Sequence, residues 1–126
     1  MKLIMSKKIL IVEDNPLMME VMVYILISNG YEVFTLSNGT EIFNNIKANH
    51  PDLVIIESML PGMNGREVCQ LIKLNKTTCD LPVIICTGEE ETVDELMHQK
   101  GAPNDVLEKP FDIKSLIQKV AYQLAA

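Results

Sequence analysis

The sequence predicts an α/β protein, with an open, parallel, five-stranded sheet covered by helices on both faces. Three observations carry this. Short aliphatic runs alternate with helix-period apolar patterns five times along the 126 residues. The runs are continuously apolar, as in strands buried on both faces. No tight hairpin signal joins one run to the next, so each strand leads into a crossover helix and the pairs are parallel.

The elements follow in order. Ile9-Leu10-Ile11-Val12 is the first strand. Asn15-Pro16 supplies an N-cap residue and a proline at the first helical position. Leu17, Met18, Val21, Met22, Ile25 and Leu26 recur at helical spacing, and Asn29-Gly30 closes that helix. Tyr31 to Leu36 reads as the second strand. Its helix runs from about Gly39 to Ala48, with Ile42, Phe43 and Ile46 inward, and His50-Pro51 stops it. Leu53-Val54-Ile55-Ile56 is the third strand. A proline- and glycine-rich loop, Leu60 to Gly65, leads to a helix with Val68, Leu71 and Ile72 on one face.

Pro82 to Cys86 is the fourth strand. It opens into Thr87-Gly88 and an acidic helix start, Glu89-Glu90-Glu91, where negative charge favours the helix N-terminus. Val93, Leu96 and Met97 face inward. Val106-Leu107 is a short fifth strand, and Ile113, Leu116, Ile117, Val120 and Leu124 form the last amphipathic helix. The expectation is one domain over residues 1–126, with no further domain after the fifth helix.

Composition narrows the function. The net charge of −6 speaks against a nucleic-acid-binding surface, which needs a basic stripe. It suits binding of cations or basic partners. Cys69, Cys79 and Cys86 are odd in number and lack C-x-x-C spacing, which excludes a disulfide framework and a zinc site as the expectation. Cys86 lies in an apolar run and reads as a small core residue. Reduced thiols fit a cytoplasmic setting. Leu3, Ile4 and Met5 are too short a stretch for an export signal, and Leu17 to Ile27 is too short to span a bilayer. No membrane partner is expected.

In an open parallel sheet, ligands bind beyond the carboxyl ends of the strands. The first strand ends in Glu13-Asp14, the third in Glu57 and the fourth in Thr87, while Lys109-Pro110 follows the fifth. Singly, each reads as a loop, turn or surface residue. Together they place three carboxylates, a hydroxyl and an ammonium on one rim. Carboxylates held close together need a cation, and an all-oxygen site suits Mg²⁺. The metal would neutralise a phosphoryl group that otherwise meets a negative site. Lysine and hydroxyl would contact the phosphoryl oxygens.

At this point the chain resembles the response regulator receiver family over essentially its whole length. The matching segments are Ile9 to Asn15, Pro51 to Ile56, Met59 to Gly65, Pro82 to Gly88 and Leu107 to Phe111. The resemblance implies a flavodoxin-like sheet of order 2-1-3-4-5 in strand sequence. It implies that Glu13 and Asp14 hold Mg²⁺ together with Glu57 and the backbone carbonyl of Met59. Thr87 and Lys109 would contact the phosphoryl group. The family takes phosphate from a phosphohistidine on a sensor histidine kinase or phosphotransfer protein and is not itself classed as an enzyme. The helix carrying Val93, Leu96 and Met97, with the last helix, is the implied partner surface for a homodimer or an output contact.

The chain departs from the family pattern in three places. The phosphoacceptor is aspartate in the family and Glu57 here. Val106 stands where the family often has an aromatic residue. Gly101 to Asp105 looks one residue longer than usual. Three readings of Glu57 stand open: a carboxylate that partly imitates the phosphorylated state, a disabled acceptor that leaves a phosphate-independent interaction module, or an introduced replacement. Two rivals belong to other classes. A flavodoxin-like electron carrier needs a glycine- and hydroxyl-rich phosphate loop where Glu13-Asp14-Asn15-Pro16 stands. A phosphatase needs an aspartate nucleophile and a larger insertion over the substrate.

Overall fold

The computed structural model describes residues 6–88 and 90–125. Leu3, Ile4, Met5 and Glu89, used in the readings above, lie outside the described residues.

The main sheet has five parallel strands: β1 (Lys8–Val12), β2 (Glu32–Leu36), β3 (Leu53–Glu57), β6 (Val83–Thr87) and β7 (Asp105–Glu108). Their order is β2-β1-β3-β6-β7, the expected order once two extra short strands are numbered. Those are β4 (Met59–Leu60) and β5 (Met63–Asn64), an antiparallel hairpin where the sequence reads only as a loop. Its two-residue turn, Pro61-Gly62, puts Gly62 at φ 67°, which glycine adopts without strain.

The helices are α1 (Pro16–Ser28), α2 (Ile42–Asn49), α3 (Gly65–Leu74), α4 (Val93–His98) and α5 (Ile113–Leu124). Side chains alternate across the strands and build a core on each face. Leu10, Val12, Val54, Ile56, Val83, Ile85 and Val106 pack under α2, α3 and α4. Ile9, Ile11, Leu53, Ile55, Ile84, Cys86 and Leu107 pack under α1 and α5. No helix among the described residues is long and apolar enough to cross a membrane.

Capping explains several boundaries. The Asn15 side chain accepts from the Met18 amide with Pro16 at the first turn, as its sequence signature indicates. The second helix starts at Ile42, not Gly39. The Asn38 side chain bonds the Thr40 amide (3.0 Å) and hydroxyl (2.6 Å), holding that stretch in a turn. The fourth helix starts at Val93, after the acidic trio. Its cap is Thr92, which accepts from the Glu95 amide at 3.1 Å.

Some side chains read as inward are not. Leu71 is 60% exposed, and Val68, Cys69 and Ile72 form the buried face of α3. Phe43 and Met97 are also exposed. So are Leu17 and Val21 of α1 and Ile113 of α5, which the sequence placed only by helical spacing. In α1 the apolar residues run all the way round, so spacing does not mark the face that meets the sheet. Met22, Ile25 and Leu26 do.

Candidate functional site

The sheet order places β3 between β1 and β6, with β7 beyond β6, so the ends of four strands form one rim. Ladder hydrogen bonds continue past the strand ends and hold them there. The Glu13 amide donates to the Leu36 carbonyl at 3.1 Å, Ser58 to Cys86 at 2.9 Å, and Lys109 to Thr87 at 2.8 Å. The Lys109–Pro110 peptide is cis.

Glu13 is 4% exposed, Glu57 5% and Thr87 0%. A buried carboxylate costs several kcal/mol, by order of magnitude, unless it is paired. Lys109 supplies the pairing. Its Nζ forms an ion pair with Glu57 Oε2 and stands 3.5 Å from Glu13 Oε1.

One ammonium does not neutralise two carboxylates. The remainder shows in Glu13, whose pKa is raised to about 7. Burial is the main cause, followed by the hydrogen bond to Glu57 and the charge of Glu57; Lys109 opposes them. Lys109 itself is moved in two directions. Burial pulls its pKa down, but the hydrogen bond and charge of Glu57, with Glu13, outweigh that and leave it raised. The cluster therefore sets two buried carboxylates against one ammonium, and Glu13 is the group whose proton is held more tightly.

The structure thus brings Glu13, Glu57 and Lys109 together. Asp14 is exposed beside them, and its charge adds to the shift at Glu13. Met59 lies in β4 with its side chain exposed. Thr87 is on the rim, but its hydroxyl donates to the Glu91 carbonyl at 3.2 Å and not to the cluster.

The cluster suits a hard divalent cation in its chemistry. All candidate side-chain donors are carboxylate oxygens, and Glu13 Oε1 is buried without a hydrogen-bond partner. Among the described residues no three acidic, histidine or cysteine side chains are gathered into a metal-sized cluster; the cation that stands beside Glu13 and Glu57 is Lys109.

Four residues of the rim escape the sequence reading. Ser58, fully buried next to Glu57, donates its hydroxyl to Glu90. Glu91 pairs with Arg66 of α3 at 3.3 Å. The adjacency of Ser58 to Glu57 was the only available signal for it. Glu90 and Glu91 read as helix-start charges because their partners are distant in sequence.

Comparison with known proteins agrees with this architecture. Residues 9–121 match the family described as the response regulator receiver domain. The DNA-binding response regulator MtrA of Mycolicibacterium smegmatis is 30% identical over 120 residues, covering 95% of this chain and 51% of that protein. The chain therefore spans about half the length of that relative.

Among solved structures, the signal receiver domain of a signal transduction histidine kinase from Syntrophus aciditrophicus superposes with TM-score 0.85 at 29% identity, covering 94% of this chain and 90% of that one. The receiver domain of a Pseudomonas aeruginosa sensor histidine kinase superposes with TM-score 0.84 at 24% identity, covering 97% and 100%. That structure has a magnesium ion coordinated in its active site cleft; at this identity the likeness bears on the fold alone. The fold is flavodoxin-like, and the chain belongs to the response regulator receiver domain family of two-component signal transduction.

Proposed function

We propose that this domain is the receiver of a phosphorelay in which Glu57 holds the acceptor position and takes up a phosphoryl group poorly or not at all. The observation that carries the reading is the position of Glu57 at the end of β3, buried and ion-paired with Lys109. The acceptor location is kept, while the side chain is one methylene too long. That displaces the carboxylate by roughly 1.5 Å, about one carbon–carbon bond. A misplacement of about 1 Å in a reacting group can cost on the order of a hundredfold in rate.

Bound Mg²⁺ would neutralise the incoming phosphoryl group, as metal ions do for phosphoryl oxygens. Glu13, Asp14, Glu57 and the Met59 carbonyl are the groups that would hold it. Lys109 would pair with a phosphoryl oxygen, and Thr87 would donate to another after releasing Glu91. The donor would be a sensor histidine kinase or phosphotransfer protein. α4 and α5 would form the homodimer or output surface, where Met97 and Tyr122 are exposed. The setting would be cytoplasmic, with no nucleic acid bound by this acidic domain itself.

A second reading has its own support. Glu57 already engages Lys109 but leaves Thr87 with Glu91, so imitation of a phosphoryl group is at best half complete. In that case the domain is a phosphate-independent interaction module. A carboxylate also brings one charge and two oxygens where a phosphoryl group brings about two charges and three oxygens.

The test is incubation with a small-molecule phosphodonor and Mg²⁺, read by intact mass. The expected result is little or no adduct on the unaltered chain and labelling on the order of a hundredfold faster after Glu57→Asp. Rapid, stoichiometric labelling of the unaltered chain would overturn the reading. Absence of labelling in both would favour the interaction module.

A further inference from the structure

The loop joining β6 to α4 is fastened beside Glu57 at three points. Glu90 Oε1 accepts from the Ser58 hydroxyl and from the Gly88 amide, the latter at 3.2 Å. The Thr87 hydroxyl holds the Glu91 carbonyl at 3.2 Å. Arg66 holds the Glu91 carboxylate at 3.3 Å.

The first fastening is the informative one. Glu90 is an exposed residue, yet its carboxylate turns back onto a hydroxyl that is fully buried. Its pKa is held low, first by the Ser58 hydrogen bond, which burial opposes, and then by backbone amides and the charge of Lys109. A hydroxyl, a backbone N–H and a nearby ammonium are together what an oxyanion needs. Gly88 permits the approach, since a Cβ there would stand 2.8 Å from Glu90 Oε2.

We propose that Glu90 is a built-in occupant of the oxyanion position beside Glu57, so that a phosphoryl group or free oxyanion enters only after the Glu90 carboxylate leaves Ser58 and Gly88. A carboxylate tethered a few residues away competes at high effective concentration. Its departure would leave the buried Ser58 hydroxyl without an acceptor, so exchange is favoured when an incoming oxyanion replaces it. The identity of that oxyanion as a phosphoryl group rests on the receiver reading above; the occupancy itself does not.

Two variants separate occupancy from charge. Glu90→Gln removes the charge. Gly88→Ala keeps it but pushes the carboxylate aside, because the tip of a flexible side chain is what the new methyl meets. The probe is inorganic phosphate with Mg²⁺, titrated into each protein and followed through the backbone amide signals of Ser58 and of position 88 by NMR. Dispersed spectra report that each variant folds.

The expected result is roughly tenfold tighter phosphate binding in both variants, which corresponds to about 1.4 kcal/mol. Unchanged affinity in both would overturn the proposal. A gain in Glu90→Gln but not in Gly88→Ala would also overturn it, by showing a charge effect without occupancy. In a Glu57→Asp background, adding Glu90→Gln should speed labelling by a small phosphodonor about tenfold, a further 1.4 kcal/mol. If Glu57→Asp does not label at all, the receiver reading of Glu57 fails while the phosphate titration still decides the role of Glu90.

Discussion

Gly65→Ala is expected to destabilise the domain by about 3 kcal/mol, the upper end of what overpacking a core usually costs. Gly65 opens α3 directly behind the end of β3, and its amide donates to the Ser58 carbonyl at 2.8 Å. A Cβ on it would lie 2.1 Å from the Glu57 carbonyl oxygen, 2.9 Å from the Glu57 carbonyl carbon and 3.1 Å from the Ser58 Cα. All three are backbone atoms. They cannot retreat easily, because Ser58 is tied to Cys86 of β6 by its own amide. The collision therefore falls on the segment that aims Glu57, and the variant should lose both stability and the Glu57–Lys109 pair.

The measurement is a urea unfolding curve, with a fall in midpoint of about 1 M or more for a domain of this size. Gly39→Ala is the control. Its Cβ would also come within 2.1 Å of an atom, but that atom is the Met63 sulfur on a side chain with several rotatable bonds. It should cost less than about 1 kcal/mol, in the range of tolerated core changes. Equal losses at the two glycines would show that the mobility of the struck atom does not matter.

The metal-free protein should also lose stability as pH rises from about 4.5 to 7. Glu13 has its pKa raised from 4.5 to about 7 by burial first, then by the hydrogen bond and charge of Glu57. Over that interval the native state holds a proton that the unfolded chain has released. Stability from this group is complete below pH 4.5 and declines through pH 7. At about 1.4 kcal/mol per pH unit the total is about 3 kcal/mol. The lowered pKa of Glu90 acts in a different window, withdrawing stability only as pH falls below 4.5.

Unfolding curves at pH 5 and pH 7.5 in the presence of a chelator would read the effect. Glu13→Gln should flatten the dependence, since it keeps a neutral side chain at every pH. Mg²⁺ at pH 7.5 should restore much of the loss by supplying the missing positive charge. A stability that rises across this window and ignores Glu13→Gln would contradict the account.

Much of the fold was legible because its signals are local. The runs Ile9 to Val12, Leu53 to Ile56 and Val83 to Cys86 are apolar without alternation, and they became central strands buried on both faces. Asn15-Pro16 marked a helix start because cap and first turn adjoin in sequence. The rim followed from strand ends alone, which is why Glu13, Glu57, Thr87 and Lys109 could be named together.

What only the tertiary structure decided depends on partners far apart in the chain. Glu90 and Glu91 look like helix-start charges until Ser58, 32 residues away, and Arg66, 25 residues away, take them. The exposed face of α1, with Tyr24 at 75% exposure, cannot be told from its buried face when both are apolar. Nor could the residues alone show which carboxylates Lys109 would meet. That pairing is set by the sheet order, which lays β3 beside β1 and brings Glu57 and Glu13 into the reach of one ammonium. Sequence determined which groups stand on the rim; packing decided which of them touch, because burial forces each charge to find the nearest partner the fold supplies.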